Sequence, residues 1–177
     1  YADRSISIYQ LSFLLWATQG VRTARGKVVL RTTPSAGNRH PFETYICALN
    51  IKGLKTGIYL YRPLEHGLIN TGRYSSQQLA HQLVPATLGQ HFITTAAAVI
   101  VWTAIPYRTE WRYGKASHKV IALDAGHVCQ NLYLACECIH AGTCAVAAYH
   151  QELMDKLIGV DGQEEFVIYL APVGLLR

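Results

Sequence analysis

The chain contains no G-x-G-x-x-G, no G-x-x-x-x-G-K followed by Ser or Thr, and no C-x-x-C. The first two absences exclude a built-in Rossmann or P-loop nucleotide domain, and the third removes the thioredoxin-type redox motif. Acidic residues are few: 11 Asp and Glu stand against 16 Lys and Arg, for a formal charge of +5. That charge is scattered rather than gathered into a basic run, so it favours small anionic ligands and argues against a nucleic-acid groove. The longest apolar run, Phe92 to Pro106, is too short and too rich in threonine to span a membrane, and no membrane association is expected. There is no initiator methionine, so a segment upstream of Tyr1 is expected to be missing.

The five cysteines are an odd number, at positions 47, 129, 136, 138 and 144. They read as buried thiols in a reducing compartment rather than a disulfide framework, which suggests the cytoplasm. Cys136 and Cys138 would leave a helix on different sides, and His127 is not four residues from either Cys129 or Cys136. No metal site is therefore expected among Asp124, His127 and these thiols. At 177 residues, half of them apolar and only 15% charged, the chain is one domain with more apolar surface than a monomer needs, which hints at an oligomer.

The stretch Arg31 to Phe42, R-T-T-P-S-A-G-N-R-H-P-F, has the most distinctive chemistry. Pro34 fixes a backbone angle, and Ser35, Gly37 and Asn38 favour a turn whose amides should face outward. Arg31 and Arg39 flank this cradle with guanidinium forks, so an anionic or carbonyl-rich ligand would find donors there. A solvated loop between a helix and a strand is the plainer alternative.

Along the rest of the chain, Ser7 should cap a helix to about Gln19 with Gly20 as its stop. Phe42–Leu49, Gly57–Arg62 and Gly67–Asn70 read as a strand meander. Ser75 or Ser76 should cap a helix through Leu83, closed by Pro85. A short helix near Leu88–Ile93 then precedes a buried central strand, Ala97–Ala104. Tyr107–Ser117 carries Arg108, Trp111, Arg112 and Tyr113, side chains that stack on flat aromatic ligands or simply open a helix. Val120–His140 reads as a long helix apolar nearly all round, hence buried on nearly all sides. Gly126 within it implies close approach of another backbone, from the sheet or from a second subunit. Small residues follow in Thr143–Tyr149, then a helix Gln151–Ile158, a turn at Asp161-Gly162 and a terminal strand Phe166–Pro172.

The P-S-A-G-x-R-H-P pattern resembles the first flavin-contacting loop of the FMN-dependent nitroreductase superfamily, in particular its SagB-type dehydrogenase (thiazoline oxidase-like) branch. Three further blocks agree in order: Leu11 to Gly20, Leu123-Asp124-Ala125-Gly126-His127 running on to Leu134, and Phe166 to Gly174. The resemblance covers nearly the whole chain and implies a single domain over 1–177. The implied fold is α+β, with a mixed, mainly antiparallel sheet flanked by helices and a long central buried helix. It further implies a homodimer binding FMN at the interface. Hydride would pass from NAD(P)H through the flavin to a small nitro- or quinone-type acceptor.

By the same resemblance Arg31, Pro34, Ser35, Ala36, Gly37, Asn38 and Arg39 would contact the flavin, and Gln90 would lie near a hydrogen-bonding position. Ala145, Val146, Ala147 and Ala148 would face the flavin N5 edge, while Gly174 and Arg177 would stand near the phosphate. The family's R-x-S-x-R phosphate segment would fall upstream of Tyr1. Azoline-oxidising relatives use a lysine-tyrosine pair to remove a substrate proton; here Arg112 and Tyr113 stand in its place. Arginine is a poor base near neutral pH, which weighs against that activity. An azoline-to-azole peptide oxidase and a non-catalytic flavin binder remain the alternatives.

Overall fold

The computed structural model describes residues 1–26 and 28–177. The chain opens with a two-residue strand, β1 (Ile6–Ser7), and helix α1 (Ile8–Gln19). Ser7 and Gln10 form a reciprocal capping box, which satisfies two amides that the first helical turn would otherwise leave bare. Strands β2 (Val21–Arg25) and β3 (Val28–Arg31) follow as an antiparallel hairpin. Neither strand is among those expected from the sequence, although V-R-T-A-R and V-V-L-R carry strand-forming residues.

After the cradle come β4 (Phe42–Ala48), β5 (Ile51–Lys52), β6 (Gly57–Arg62) and β7 (Gly67–Arg73). Helix α2 (Ser76–Ala86) is capped by Ser75 through a second capping box, and it holds Pro85 within its last turn rather than ending before it. A 3-10 turn at His91–Thr95 replaces the expected short helix and leads into β8 (Ala98–Ala104). The remaining elements are α3 (Tyr107–Tyr113), α4 (Ser117–Cys138), β9 (Ala141–Thr143), α5 (Gln151–Ile158) and β10 (Phe166–Leu175).

Six strands form one sheet in the order β7-β6-β4-β8-β10-β9, every neighbouring pair antiparallel. A parallel pairing between β1 and β5 stands apart from it. Strands β4 and β8 are central and apolar on both faces because helices cover both. Phe42, Ile46, Ile100 and Trp102 pack with α1 and α4, while Tyr45, Cys47, Val99 and Val101 pack with α2 and α5. This helix–sheet–helix layering is the α+β architecture expected from the sequence.

Helix α4 is 22 residues long and lies against α1, but burial nearly all round holds for one side of it only. Ile121, Asp124, Ala125, Val128, Leu132, Ala135 and Cys136 are buried. Leu123, Gly126, His127, Gln130, Tyr133, Leu134 and Glu137 form an exposed stripe. A Cβ at Gly126 would meet nothing within 4 Å. The sheet therefore makes no close approach there, and that expectation can survive only through a partner.

Candidate functional site

The cradle is a 3-10 turn, Ala36–Asn38, with Gly37 in left-handed backbone at φ 57°. Asn38 at φ 57° and His40 at φ 47° also take positive angles, which only surrounding contacts can hold in residues other than glycine. Those contacts come largely from one side chain. Asp124, buried on α4, accepts the Ser35 hydroxyl at 2.6 Å and the Ala36 amide at 3.2 Å. The amide of His40 donates to Ser35 Oγ at 2.9 Å, that of Asn38 to the Ser35 carbonyl, and that of Arg39 to the Ala36 carbonyl.

The expectation of a cradle with outward amides is thus corrected. The amides of Ala36, Asn38, Arg39 and His40 are consumed in holding the turn's shape, because a strained backbone needs its polar groups satisfied internally. In the sequence Asp124 belongs to the Leu123 to His127 block of the resemblance, with no role assigned to its carboxylate. Its spacing of 89 residues from Ser35 carries no sequence signal.

Helix α3 closes over the same turn. A Cβ on Gly37 would lie 2.8 Å from Tyr113 Oη and 2.9 Å from Arg112 Nε, which together with its left-handed backbone favours glycine at this position. The Arg39 guanidinium sits over the Trp111 ring, 4.8 Å from its centroid. Arg112 and Tyr113, singled out for reactivity, are therefore packed against the cradle. His40 Nε2 lies 2.7 Å from Asn38 Oδ1, while Asn38 Nδ2 donates to the Val29 carbonyl at 2.9 Å. Burial lowers the His40 pKa to about 4, and Arg31 and Arg39 push the same way. His40 is therefore neutral near pH 7 and donates from Nε2. Pro34 is exposed, and Arg31 donates to Gln19 Oε1 at 2.6 Å.

A second cluster gathers at the other end of α4. Ala145 donates its amide to Tyr133 Oη at 2.8 Å, and Val146 is buried and bridged to Leu170. Ala147 and Ala148 are exposed, and their amides make no hydrogen bond among the described residues. Gln90 Nε2 donates to the Ala148 carbonyl at 2.7 Å, so these two segments, 58 residues apart in sequence, do meet.

Among the described residues no hydrogen bond joins the two clusters. Asp124, which holds the cradle, and Tyr133, which holds the small-residue loop, are nine residues apart on α4, roughly 13 Å of helix axis. Gly174 lies elsewhere again, buried in β10 beneath the ring of Tyr1, where its missing Cβ leaves that ring room. Arg177 is exposed and donates from Nε to the Tyr1 carbonyl at 3.4 Å. Burial pushes the thiols of Cys129 and Cys136 up to about 11 and about 12, so neither is a thiolate nucleophile near neutral pH.

A six-stranded antiparallel sheet covered by helices on both faces, with one long helix packed against it, is an α+β fold of nitroreductase type. The nitroreductase family model matches residues 1–175, and the chain belongs to that family of oxidoreductases. It is 31% identical over 174 residues to a nitroreductase-like protein of Methanocaldococcus jannaschii, covering 98% of this chain and 83% of the relative. It is 24% identical over 144 residues to the trifolitoxin-processing protein TfxB of Rhizobium leguminosarum bv. trifolii, covering 78% of this chain and 38% of that one.

Among solved structures, a nitroreductase-like protein of Anabaena variabilis superposes with a TM-score of 0.84 at 27% identity over 93% of this chain. This chain spans 34% of that protein's length. The E. coli microcin synthetase McbBCD complex, solved with truncated pro-MccB17 bound, gives a TM-score of 0.85 at 20% identity. That match covers the whole of this chain and 67% of the other, and at this identity it speaks for the fold alone.

Proposed function

We propose that the protein is an FMN-dependent oxidoreductase, active as a homodimer, that takes hydride from NAD(P)H and delivers it to a small nitro- or quinone-type acceptor. The observation that carries this reading is the pair of clusters held nine residues apart on α4, by Asp124 and by Tyr133, on a helix whose exposed stripe of Leu123, Gly126 and Leu134 is suited to a partner.

The residues present fit a flavin on two counts. The Gly37 turn is braced by Asp124, Tyr113 and Arg112, which makes it a fixed wall for a planar ring, and the unbonded amides of Ala147 and Ala148 suit the rim of a polar ring. Bound FMN would supply the redox chemistry, which no side chain here can perform. Pro34 to Asn38 would press on one part of the ring from one subunit. Ala145 to Ala148 would line the N5 edge from the other, with the amides of Ala147 and Ala148 as the donors and Gln90 steadying the loop through the Ala148 carbonyl. Arg31 and Arg39 would add positive charge at the cradle, and Gly174 and Arg177 would lie toward the phosphate.

Azoline oxidation of a peptide is the second reading, favoured by the likeness to the trifolitoxin-processing protein. Tyr113 would then be the proton acceptor with Arg112 as its cationic neighbour, since the guanidinium keeps its proton. Both readings meet one experiment. The purified protein should be yellow or take up added FMN, and anaerobic NADPH should bleach it quickly. Bleaching only by an azoline peptide would select the oxidase, and a colourless protein that takes up no FMN would remove both.

A further inference from the structure

Beside the cradle, a cleft of about 520 Å³ opens between the β2–β3 hairpin, β4 and the turn after β6. Its charged lining is Arg31, Arg39, Arg62 and Arg108 against Glu43 and Glu65. Two guanidiniums are already matched: Arg62 pairs with Glu65 at 3.4 Å on the exposed rim, and Arg108 pairs with Glu43. Among the described residues, the other two have no carboxylate within ion-pairing distance.

Arg31 is half-buried, and its side-chain hydrogen bond goes to the neutral amide oxygen of Gln19. Burial weakens its hold on its proton, Arg108 works in the same direction, and Glu43 only partly opposes them. Arg39 donates from Nε to the Gly37 carbonyl at 2.8 Å and is stacked on Trp111, which fixes the plane of its fork. Its terminal nitrogens make no hydrogen bond among the described residues. Two oriented guanidiniums without counter-charges in a partly desolvated cleft carry an electrostatic cost, and an oxyanion accepting from both removes it. His40, also on this lining, is neutral near pH 7 and contributes no repulsion or compensation.

We infer that this cleft is an oxyanion subsite, with Arg31 and Arg39 as its forks, that takes the carboxylate or phosphate of a small reactant. It shares Asn38, Arg39 and His40 with the cradle, so an anion seated here belongs to a molecule that also reaches the ring contacted by the cradle. The identity of that molecule rests on the redox reading above. Binding of the anion does not.

The test titrates the purified protein without reductant, following the His40 ring protons by NMR. The probes are 4-nitrobenzoate and its neutral analogue 4-nitrobenzamide for the carboxylate, and the oxidised dinucleotides NADP+ and NAD+ for the phosphate. At least one member with the extra anionic group should bind more tightly than its analogue and raise the pH at which His40 titrates. Arg39→Gln should weaken that binding about tenfold, the loss of one charge-assisted hydrogen-bond fork. Arg39→Lys, which keeps the charge but not the fork, should fall between. Preference for 4-nitrobenzoate assigns the subsite to an acceptor's carboxylate, and preference for NADP+ over NAD+ assigns it to the donor's phosphate. Equal binding within both pairs, or an Arg39→Gln protein that binds as the wild type does, overturns the inference. Because no flavin reduction is measured, its failure is distinct from failure of the redox reading.

Discussion

At the scale of single residues, the site is held by groups that touch no reactant. Asp124 is buried and accepts from Ser35 and Ala36, so removing it strands a hydroxyl and an amide. Asp124→Ala should cost about 1–3 kcal/mol of stability, read from urea denaturation, and should lower FMN affinity in proportion to the loosening of the cradle. Unchanged flavin affinity in a protein destabilised by that amount would separate the turn from the cofactor.

His40 sets a pH dependence whose sign follows from its lowered pKa. The folded protein holds His40 neutral down to about 4, whereas the unfolded chain protonates it near 6.5, so the unfolded state binds more protons between those values. Its contribution to stability is present above 6.5 and is lost as pH falls toward 4. The urea midpoint should therefore decline through this window, and His40→Gln should flatten the decline.

At the scale of elements, α4 has two unlike sides. The buried side fastens α1, the sheet and the cradle, while the exposed side carries Leu123, Gly126 and Leu134. Since a Cβ at Gly126 meets nothing within 4 Å, Gly126→Leu introduces no clash inside the chain. Helix propensity alone should raise the stability of the single chain by up to about 1 kcal/mol. If this stripe packs against a second subunit, the same substitution should yield monomers on size-exclusion chromatography. A stable dimer of unchanged size would place the interface elsewhere.

At the scale of the whole molecule, the separation of the two clusters along α4 makes a specific demand on assembly. Gly37→Val disables the cradle, and Ala147→Asp disables the small-residue loop by placing negative charge at the N5 edge. Each variant alone should lose most of its NADPH-dependent activity. Co-refolded in equal amounts, they should recover about a quarter of wild-type activity, because half the dimers are hybrids and each hybrid has one intact site of two. No recovery would mean that both pieces serve the same subunit's flavin.

Much of this was legible in the residues themselves. Capping at Ser7 and Ser75, the uniformly apolar β8 and the extent of α5 depend on neighbours a few positions away, where local chemistry decides the conformation. The turn at Pro34 to His40 was likewise marked by its own composition. The occupation of its amides was not, because Ser35 and Asp124 are brought together only by packing of the cradle on α4. The same holds for Gly37 under Tyr113 and for Gln90 on Ala148, contacts between segments far apart in sequence. Apolar composition gave α4 as a helix, yet it could not separate a side buried in its own core from a side left for another subunit. Hydrophobicity records the area that must leave water and is silent about which chain covers it, so that choice belongs to the tertiary structure.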